Sequence, residues 1–282
     1  MISMDLLHKL DDELIARYRT ISTVSKRLGI PFLVVGASSR DLIFYHSHGL
    51  RIQRATKDVD FGIQVPSWEF FDKVKKELIA EGFSESKNAH RLIRGDIYPI
   101  DIVPFGEISN VDLNIEWPPD GDRVMSVLGF QEAFEHSNLI RISREPDICI
   151  SVATPAGLTL MKLIAWRDRD RTLRKKDALD LKYIFESYER LPNNQTRVFE
   201  DIELLENYDA DIMLIGAYLL GKDTNSIASD RSRKFVAEIW STNKSEEILV
   251  AEMSDRTSGA IEYSHSLLSA FKQGFMSDLW KK

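Results

Sequence analysis

The chain has 282 residues, 44 of them acidic and 37 basic, so its formal net charge at neutral pH is −7. With 43% hydrophobic residues it is long enough to build one large or two ordinary domains around a buried core. No apolar run is long enough to span a bilayer, and the acidic charge argues against non-specific coating of nucleic acid. The single Cys149 excludes an internal disulfide and a cysteine-based metal cage. Because no signal peptide is recognisable at the N-terminus, we expect a cytoplasmic protein without membrane contact.

The first predicted elements are helix, strand and helix. Apolar residues at helical spacing predict a helix or helix pair over residues 4–28. The short apolar run from residue 31 to residue 36 predicts a buried strand. Ser38 and Asp41 have the spacing of a capping box, so we expect the next helix to begin there.

The remaining patterns divide the chain near residue 154. In the first half they predict a helix and six strands, namely strands over 58–65, 90–94, 97–105, 124–130, 139–143 and 148–152, and a helix over 68–82. The second half is helical almost throughout, over 155–168, 175–189, 200–206, 209–220, 230–242, 245–253 and 259–280. We therefore predict an α+β fold in which residues 1–153 form a mixed sheet flanked by helices and residues 154–282 form an all-helical domain.

Three aspartates occupy predicted strands, where this residue type is uncommon. Asp58 and Asp60 are one residue apart, so both side chains point to the same face, and Val59 points to the other. Asp101 lies in the middle of a later strand. Neighbouring carboxylates repel each other, and Mg²⁺ prefers carboxylate oxygens together with substrate phosphates. The pattern predicts a site for one or two Mg²⁺ ions that acts on a nucleoside triphosphate by in-line phosphoryl displacement.

A second feature predicts where the phosphates bind. Gly36 is followed by Ser38 and Ser39 at a junction between a strand and a helix. Glycine lets a backbone approach a phosphate closely, and the free N–H groups at the start of a helix point towards an anion.

Taken in chain order, these motifs resemble the nucleotidyltransferase superfamily of the DNA polymerase β type. The resemblance is carried by Val35-Gly36-Ala37-Ser38, then Asp58-Val59-Asp60-Phe61, then Ile100-Asp101-Ile102. In that superfamily a Gly-Ser or Gly-Gly turn precedes an Asp-x-Asp strand, and a third Asp lies on a later strand. Ala37 departs from the pattern, and Ser38 supplies the hydroxyl one place later.

Four further features narrow the resemblance to the AbiEii/AbiGii abortive-infection toxins and the related tRNA-modifying toxins. They are Arg54, Thr56, the segment 162–167 and the segment 176–180. The resemblance covers roughly residues 30–222 and implies a nucleotidyltransferase core followed by a helical domain.

The resemblance also implies a role for each residue in the motifs. Asp58 and Asp60 are the expected metal ligands. Asp101 is expected to complete the metal site and to help deprotonate the acceptor hydroxyl. Ser38, beside Gly36, is expected to contact the triphosphate oxygens.

For the second half, the resemblance implies that Lys162 contacts the nucleotide phosphates. Asp177 or Asp180 is expected to orient the helices or the substrate, and Arg54, Thr56 and Arg167 are expected to support substrate binding. The expected partners are a nucleoside triphosphate, a tRNA or other RNA, and a cognate antitoxin. A protein side chain or a small molecule such as an aminoglycoside is the alternative acceptor.

A dense charged run follows Lys162, and it has two interpretations. Alternating signs are typical of a salt-bridged helix end. The same residues would alternatively form a basic rim that binds phosphate or RNA backbone, built from Arg167, Arg169, Arg171, Arg174 and Lys175.

Two further hypotheses for the whole protein remain open. A metal-dependent glycosyltransferase also uses an Asp-x-Asp motif, but too few residues precede Asp58 for the nucleotide-binding domain that such an enzyme needs. A catalytically idle relative that acts as a binding module is the other, with Ala37 as its support.

Overall fold

The computed structural model describes residues 2–52, 58–95, 97–254 and 258–277. Contacts divide the chain into two compact units, Met1–Thr154 and Pro155–Lys282. None of the helices in the described ranges is both long enough and apolar enough to cross a bilayer.

The first unit is built on a mixed sheet. Its strands in the described ranges are β1 (Met4–Asp5), β2 (Phe32–Val35), β3 (Val59–Gln64), β4 (Ser84–Glu85), β5 (Arg91–Arg94), β6 (Ile97–Phe105), β7 (Asn114–Trp117), β8 (Arg123–Ser126), β9 (Asn138–Arg144) and β10 (Asp147–Val152). Eight of them form one sheet in the order β1-β9-β10-β2-β3-β6-β5-β4, and β7 pairs with β8 in a separate hairpin. At the centre, β3 runs antiparallel to β2 and parallel to β6.

The helices of the first unit lie between these strands in sequence. They are α1 (Asp12–Leu28), α2 (Gly36–Arg40), which continues into a π-helical turn (Asp41–Ser47), α3 (Trp68–Ala80) and α4 (Phe130–Glu135). Tyr18 of α1 packs edge-on against Phe61 of β3, and both side chains are fully buried. Because side chains alternate along a strand, Asp60 points away from the face that α1 covers.

The second unit is helical in its described residues. Its helices are α5 (Pro155–Asp168), α6 (Arg171–Ser187), α7 (Pro192–Arg197), α8 (Ile202–Asn207), α9 (Ile212–Ile227), α10 (Asp230–Ala237), α11 (Asn243–Met253) and α12 (Ser258–Met276). Helices α9 and α12 pack at very short range, because Gly221 faces the backbone of Phe271 and Gly274 faces the backbone of Tyr218. The predicted α+β class, with a mixed sheet in the first half and helices in the second, is confirmed.

Three local predictions are wrong. The N-terminal helix begins at Asp12 rather than near residue 4, because the Asp11 carboxylate accepts the Leu14 N–H at 2.7 Å and caps it there. The preceding residues Met4–Asp5 pair instead with β9.

The capping box over Ser38 and Asp41 is the second error. Helix α2 begins at Gly36, and its N-cap Val35 makes no side-chain cap bond. The Asp41 carboxylate accepts from its neighbour Arg40 at 2.9 Å. The strand predicted over 124–130 is the third error: it ends at Ser126, and α4 begins at Phe130. The six-residue helix α7 is absent from the predicted elements.

Candidate active site

Three polar residues lie in one row across adjacent strands of the sheet. Asp60 of β3 and Asp101 of β6 are directly paired in the parallel ladder. On the other side of β6, Arg91 of β5 is directly paired with Asp101 in the antiparallel ladder. Directly paired residues place their side chains on the same face at close range. The register therefore brings two carboxylates and a guanidinium together.

Arg91 joins two of the predicted site aspartates. Its Nε donates to Asp101 Oδ1 at 2.7 Å, and its Nη2 donates to Asp101 Oδ2 at 2.7 Å. The same Nη2 donates to Asp58 Oδ2 at 2.7 Å. Asp58 and Asp101 therefore bind the same guanidinium group, although they lie in separate segments of the chain.

The ion cluster is half-buried. The exposed fraction is 28% for the Arg91 side chain, 34% for Asp58 and 12% for Asp101. Hydrogen bonding to Asp101, followed by the charges of Asp101 and Asp58, raises the pKa of Arg91 above its ordinary value despite partial burial. Arg91 is therefore a permanent positive charge between two acidic side chains.

Ser38 fixes the segment that carries Asp58. Its hydroxyl donates to the Asp58 carbonyl oxygen at 3.1 Å, and the residue is only 6% exposed. In this structure the Ser38 hydroxyl proton is therefore used within the protein. The bond connects the turn after β2 to the start of the Asp-x-Asp motif.

Gly36 has a structural role that the sequence does not reveal. Its φ is +64°, and a Cβ at this position would lie within 3.0 Å of the Asp60 carboxylate. Asp60 pairs with Val35, the residue before Gly36, in the β2–β3 ladder. The glycine is therefore required for close approach of the Asp60 carboxylate, in addition to the backbone conformation of the turn.

Ser39 is placed differently from its neighbour. The residue is fully buried, and its hydroxyl donates to the Ala153 carbonyl oxygen at 2.7 Å. This bond connects α2 to the end of β10. The Ser39 hydroxyl is therefore engaged inside the fold, and a contact of this side chain with phosphate would require that bond to break.

The carboxylates supply the ligands that a hard divalent cation prefers. Arg91 Nη2 contacts Asp58 and Asp101 at the same time, so a single cationic centre can reach both carboxylates. Among the residues that the structure describes, no group of three His, Cys, Asp or Glu side chains has the arrangement of a metal site. Both Asp101 oxygens and one Asp58 oxygen instead accept hydrogen bonds from Arg91. These oxygens are of the kind that a hard divalent cation prefers, and in this structure Arg91 occupies them.

In the second unit, α5 and α6 hold a buried ion cluster. Lys162 Nζ lies 2.8 Å from Asp177 Oδ1 and 2.8 Å from Asp180 Oδ2, and Arg169 Nη1 lies 2.9 Å from Asp177 Oδ2. Burial lowers the pKa of Lys162, but the charges and hydrogen bonds of the two aspartates outweigh it, so its pKa is raised. The three predicted residues Lys162, Asp177 and Asp180 therefore meet in one cluster.

The charged run after Lys162 is largely paired with acidic residues of its own unit. Arg167 contacts Glu238 and donates to the Phe235 carbonyl oxygen at 2.8 Å. Arg174 Nη2 lies 2.9 Å from Glu252 Oε1. These pairs favour the salt-bridged interpretation for Arg167, Arg169 and Arg174, whereas Arg171 and Lys175 are exposed.

Two predicted support residues, Arg54 and Thr56, lie outside the described residues. Arg91 is the residue that sequence reasoning misses. It lies in a correctly predicted strand, but only the register of β5 against β6 shows which side chain it meets.

Comparison with known proteins adds a family. The sequence model of one protein family, described as nucleotidyl transferase AbiEii toxin, Type IV TA system, matches residues 42–239, which is well over half of the chain. No curated protein matches the chain.

Several solved structures are similar to the chain. ANT(2'')-Ia in complex with adenylyl-2''-tobramycin is 11% identical, with a TM-score of 0.38 over 69% of this chain and 98% of that chain. An antigenic nucleotidyltransferase-like protein from Paracoccidioides brasiliensis is 15% identical, with a TM-score of 0.40 over 71% and 94%. The Thermotoga maritima CCA-adding enzyme complexed with tRNA is 13% identical, with a TM-score of 0.27 over 96% and 71%.

Proposed function

Because the chain belongs to the AbiEii nucleotidyltransferase toxin family, we propose that it transfers a nucleoside monophosphate to an RNA hydroxyl in a Mg²⁺-dependent reaction. Family membership makes the protein a nucleotidyltransferase with a nucleoside triphosphate substrate, which confirms the family and the enzyme class predicted from the sequence. It also decides against the glycosyltransferase hypothesis. The metal, the acceptor and the site residues are the proposal.

The observation that carries the proposal is the pairing of Asp60 with Asp101 in adjacent strands, with Asp58 joined to Asp101 through Arg91. We assign these three aspartates as the Mg²⁺ ligands. A bound Mg²⁺ would stabilise the negative charge on the entering and leaving oxygens of the phosphoryl transfer.

In the proposed reaction the acceptor hydroxyl oxygen forms a bond to the α-phosphorus of the triphosphate. The bond between that phosphorus and the oxygen of the β-phosphate breaks, and pyrophosphate leaves. The hydroxyl proton goes to the Asp101 carboxylate. Each Asp101 oxygen accepts one hydrogen bond from Arg91, and a carboxylate oxygen has a second lone-pair site for this proton.

Ser38 and Lys162 have predicted phosphate contacts. Ser38 has to exchange its bond to the Asp58 carbonyl oxygen for a bond to phosphate. Lys162 Nζ contacts Asp177 and Asp180 within the second unit. Both roles stay predictions: in the transfer assay below, Ser38→Ala and Lys162→Gln, each first checked for folding by circular dichroism, should label the acceptor more slowly than the wild type.

We propose a tRNA 3′ end as the acceptor, which is in keeping with the toxin description of the family. A reaction that consumes nucleoside triphosphate and RNA would take place in the cytoplasm, and a toxin in such a system would have a cognate antitoxin. A protein side chain or a small hydroxyl compound is the alternative acceptor.

The test is a transfer assay with each of the four α-³²P-labelled ribonucleoside triphosphates, bulk tRNA, bulk protein and an aminoglycoside, with and without Mg²⁺. The wild type should label tRNA only in the presence of Mg²⁺, and Asp60→Asn should lower the rate at least about 100-fold. The matched control is Asp72→Asn, an exposed aspartate of α3, which should label tRNA at the wild-type rate.

Label on protein or aminoglycoside alone would contradict tRNA as the acceptor, but it would still demonstrate nucleotidyltransferase activity. Equal transfer by Asp60→Asn and wild type would contradict the assigned site. No label on any acceptor would favour the idle binding module.

A further inference from the structure

The Arg91 guanidinium occupies the position where the proposed site needs its cation. One nitrogen, Nη2, contacts Asp58 Oδ2 and Asp101 Oδ2, each at 2.7 Å. A divalent cation that uses both carboxylates would need the same two oxygens or their immediate neighbourhood. Two positive centres cannot share that space, because like charges repel strongly at such short distances.

The positive charge of Arg91 has a clear function in the protein without metal. Asp60 and Asp101 are neighbours in the sheet, and Asp58 is held to the same group. Without a compensating charge these carboxylates would repel one another and spread apart. Arg91 holds Asp58 and Asp101 at hydrogen-bond distance from one group, so the ligands are already gathered before a cation arrives.

We propose that Arg91 is a positioning residue that holds Asp58 and Asp101 in the metal-free protein and competes with the divalent cation for them. The inference rests on the proposed function, because it takes these aspartates as metal ligands. Nη2 gives up its two carboxylate contacts when the cation binds. The bond from Nε to Asp101 Oδ1 uses other atoms and does not have to break. Cation affinity is therefore set by a competition with a side chain of the protein itself.

The competition can be measured without catalysis, by titrating Mn²⁺ into the nucleotide-free protein and following the free ion by electron paramagnetic resonance. Arg91→Gln should bind Mn²⁺ about tenfold more tightly than the wild type, since one charge-assisted hydrogen bond is worth on the order of a factor of ten. Its unfolding temperature should be lower than that of the wild type without metal and should rise more when Mn²⁺ is added.

Two further variants complete the experiment. Arg94→Gln removes an arginine from the same strand that lies over the Phe83 ring, and it should leave the Mn²⁺ affinity unchanged. Arg91→Lys keeps the charge but not the two-nitrogen contact with Asp101, so its Mn²⁺ affinity should lie between those of the wild type and Arg91→Gln. If Arg91→Gln does not fold, the Mn²⁺ affinity of Arg91→Lys is compared with that of the wild type instead.

If the wild type binds Mn²⁺ as tightly as both Arg91 variants, or more tightly, Arg91 does not compete with the cation. That result would overturn this inference and leave the proposed function standing. If neither the wild type nor the Arg91 variants bind Mn²⁺, the metal site of the proposed function fails as well. If Asp60→Asn binds Mn²⁺ like the wild type, the titration detects another site, which overturns both proposals.

Discussion

Arg91 and Asp101 face each other across β5 and β6, and two hydrogen bonds of 2.7 Å connect the guanidinium to the two oxygens of the carboxylate. The pair lies beside Asp60 in the same row of the sheet. The residues proposed to bind metal are therefore also residues on which the local stability of the sheet depends.

Asp101→Asn should lower the free energy of unfolding of the first unit by about 1–3 kcal/mol, because it removes the carboxylate that accepts two hydrogen bonds from the half-buried Arg91 guanidinium and leaves Asp58 as its acidic partner. Asp147→Asn is the matched control. It removes a carboxylate from the exposed Arg141 pair, in which Asp147 is 62% exposed, and should cost less than about 1 kcal/mol. Urea denaturation without metal measures both, and equal losses would show that the Asp101 pair is no stronger than a surface pair.

Gly36→Ala should destabilise the protein more than Gly29→Ala. Both glycines have φ near +65°, so both substitutions carry the cost of a left-handed residue, which is about 1 kcal/mol. Only at Gly36 does the added Cβ collide with Asp60, whereas nothing lies within 4 Å of a Cβ at Gly29. Thermal unfolding of the two variants compares the costs. A Gly36→Ala variant no less stable than Gly29→Ala would show that the Asp60 carboxylate moves away freely.

Gly274→Ala should destabilise the helical unit by at least about 1–3 kcal/mol, since the new methyl group would overlap the Tyr218 backbone and force α9 and α12 apart. Gly259→Ala, near the start of the same helix, should instead stabilise the helical unit. Its Cβ meets no atom within 4 Å, and alanine in an exposed helical position is favoured by about 0.5–1 kcal/mol. Chemical denaturation followed by circular dichroism at 222 nm distinguishes the two. Two losses of equal size would contradict the close helix contact.

Lys162→Met should cost about 3–5 kcal/mol, because it removes a positive charge from two buried aspartates and leaves their carboxylates poorly compensated. The control in the same unit is Lys182→Met, which breaks the helical Lys182–Glu186 pair at 3.7 Å and should cost about 0.5 kcal/mol or less. A double variant, Lys162→Met with Asp180→Asn, should recover part of the loss. No recovery would mean that Lys162 stabilises the unit through packing instead of charge.

The stability of the helical unit should fall at alkaline pH with a contribution from Lys162. Although burial lowers its pKa, the charges of Asp177 and Asp180 raise it above the ordinary 10.5, so the folded state holds this proton more tightly than the unfolded state. The contribution is complete below pH 10.5 and is lost as the pH rises through the higher folded value. Unfolding free energies measured at about pH 8 and about pH 11 should differ more for the wild type than for Lys162→Met. Tyrosine titration is common to both proteins, so an equal loss in both would exclude Lys162 as the source.

The alternating pattern around Asp60 and Asp101 predicts their strands within a residue or two of β3 and β6, because apolar side chains on one face of a strand leave a period that can be seen in the sequence. The capping box at Ser38 fails for a different reason. A serine hydroxyl can donate to any acceptor within reach, and here it donates its hydrogen bond to the Asp58 carbonyl oxygen, twenty residues away.

Residue type, order and local period were enough to predict the family and the α+β class, and they single out the three aspartates of the proposed site. The folded chain was needed to see that Arg91 lies between Asp58 and Asp101, that Gly36 makes room for Asp60, and that Ser39 turns inward to Ala153. Each of these contacts depends on the register of strands or on segments far apart in the chain. Local patterns carry no information about which residue of one strand stands opposite which residue of the next.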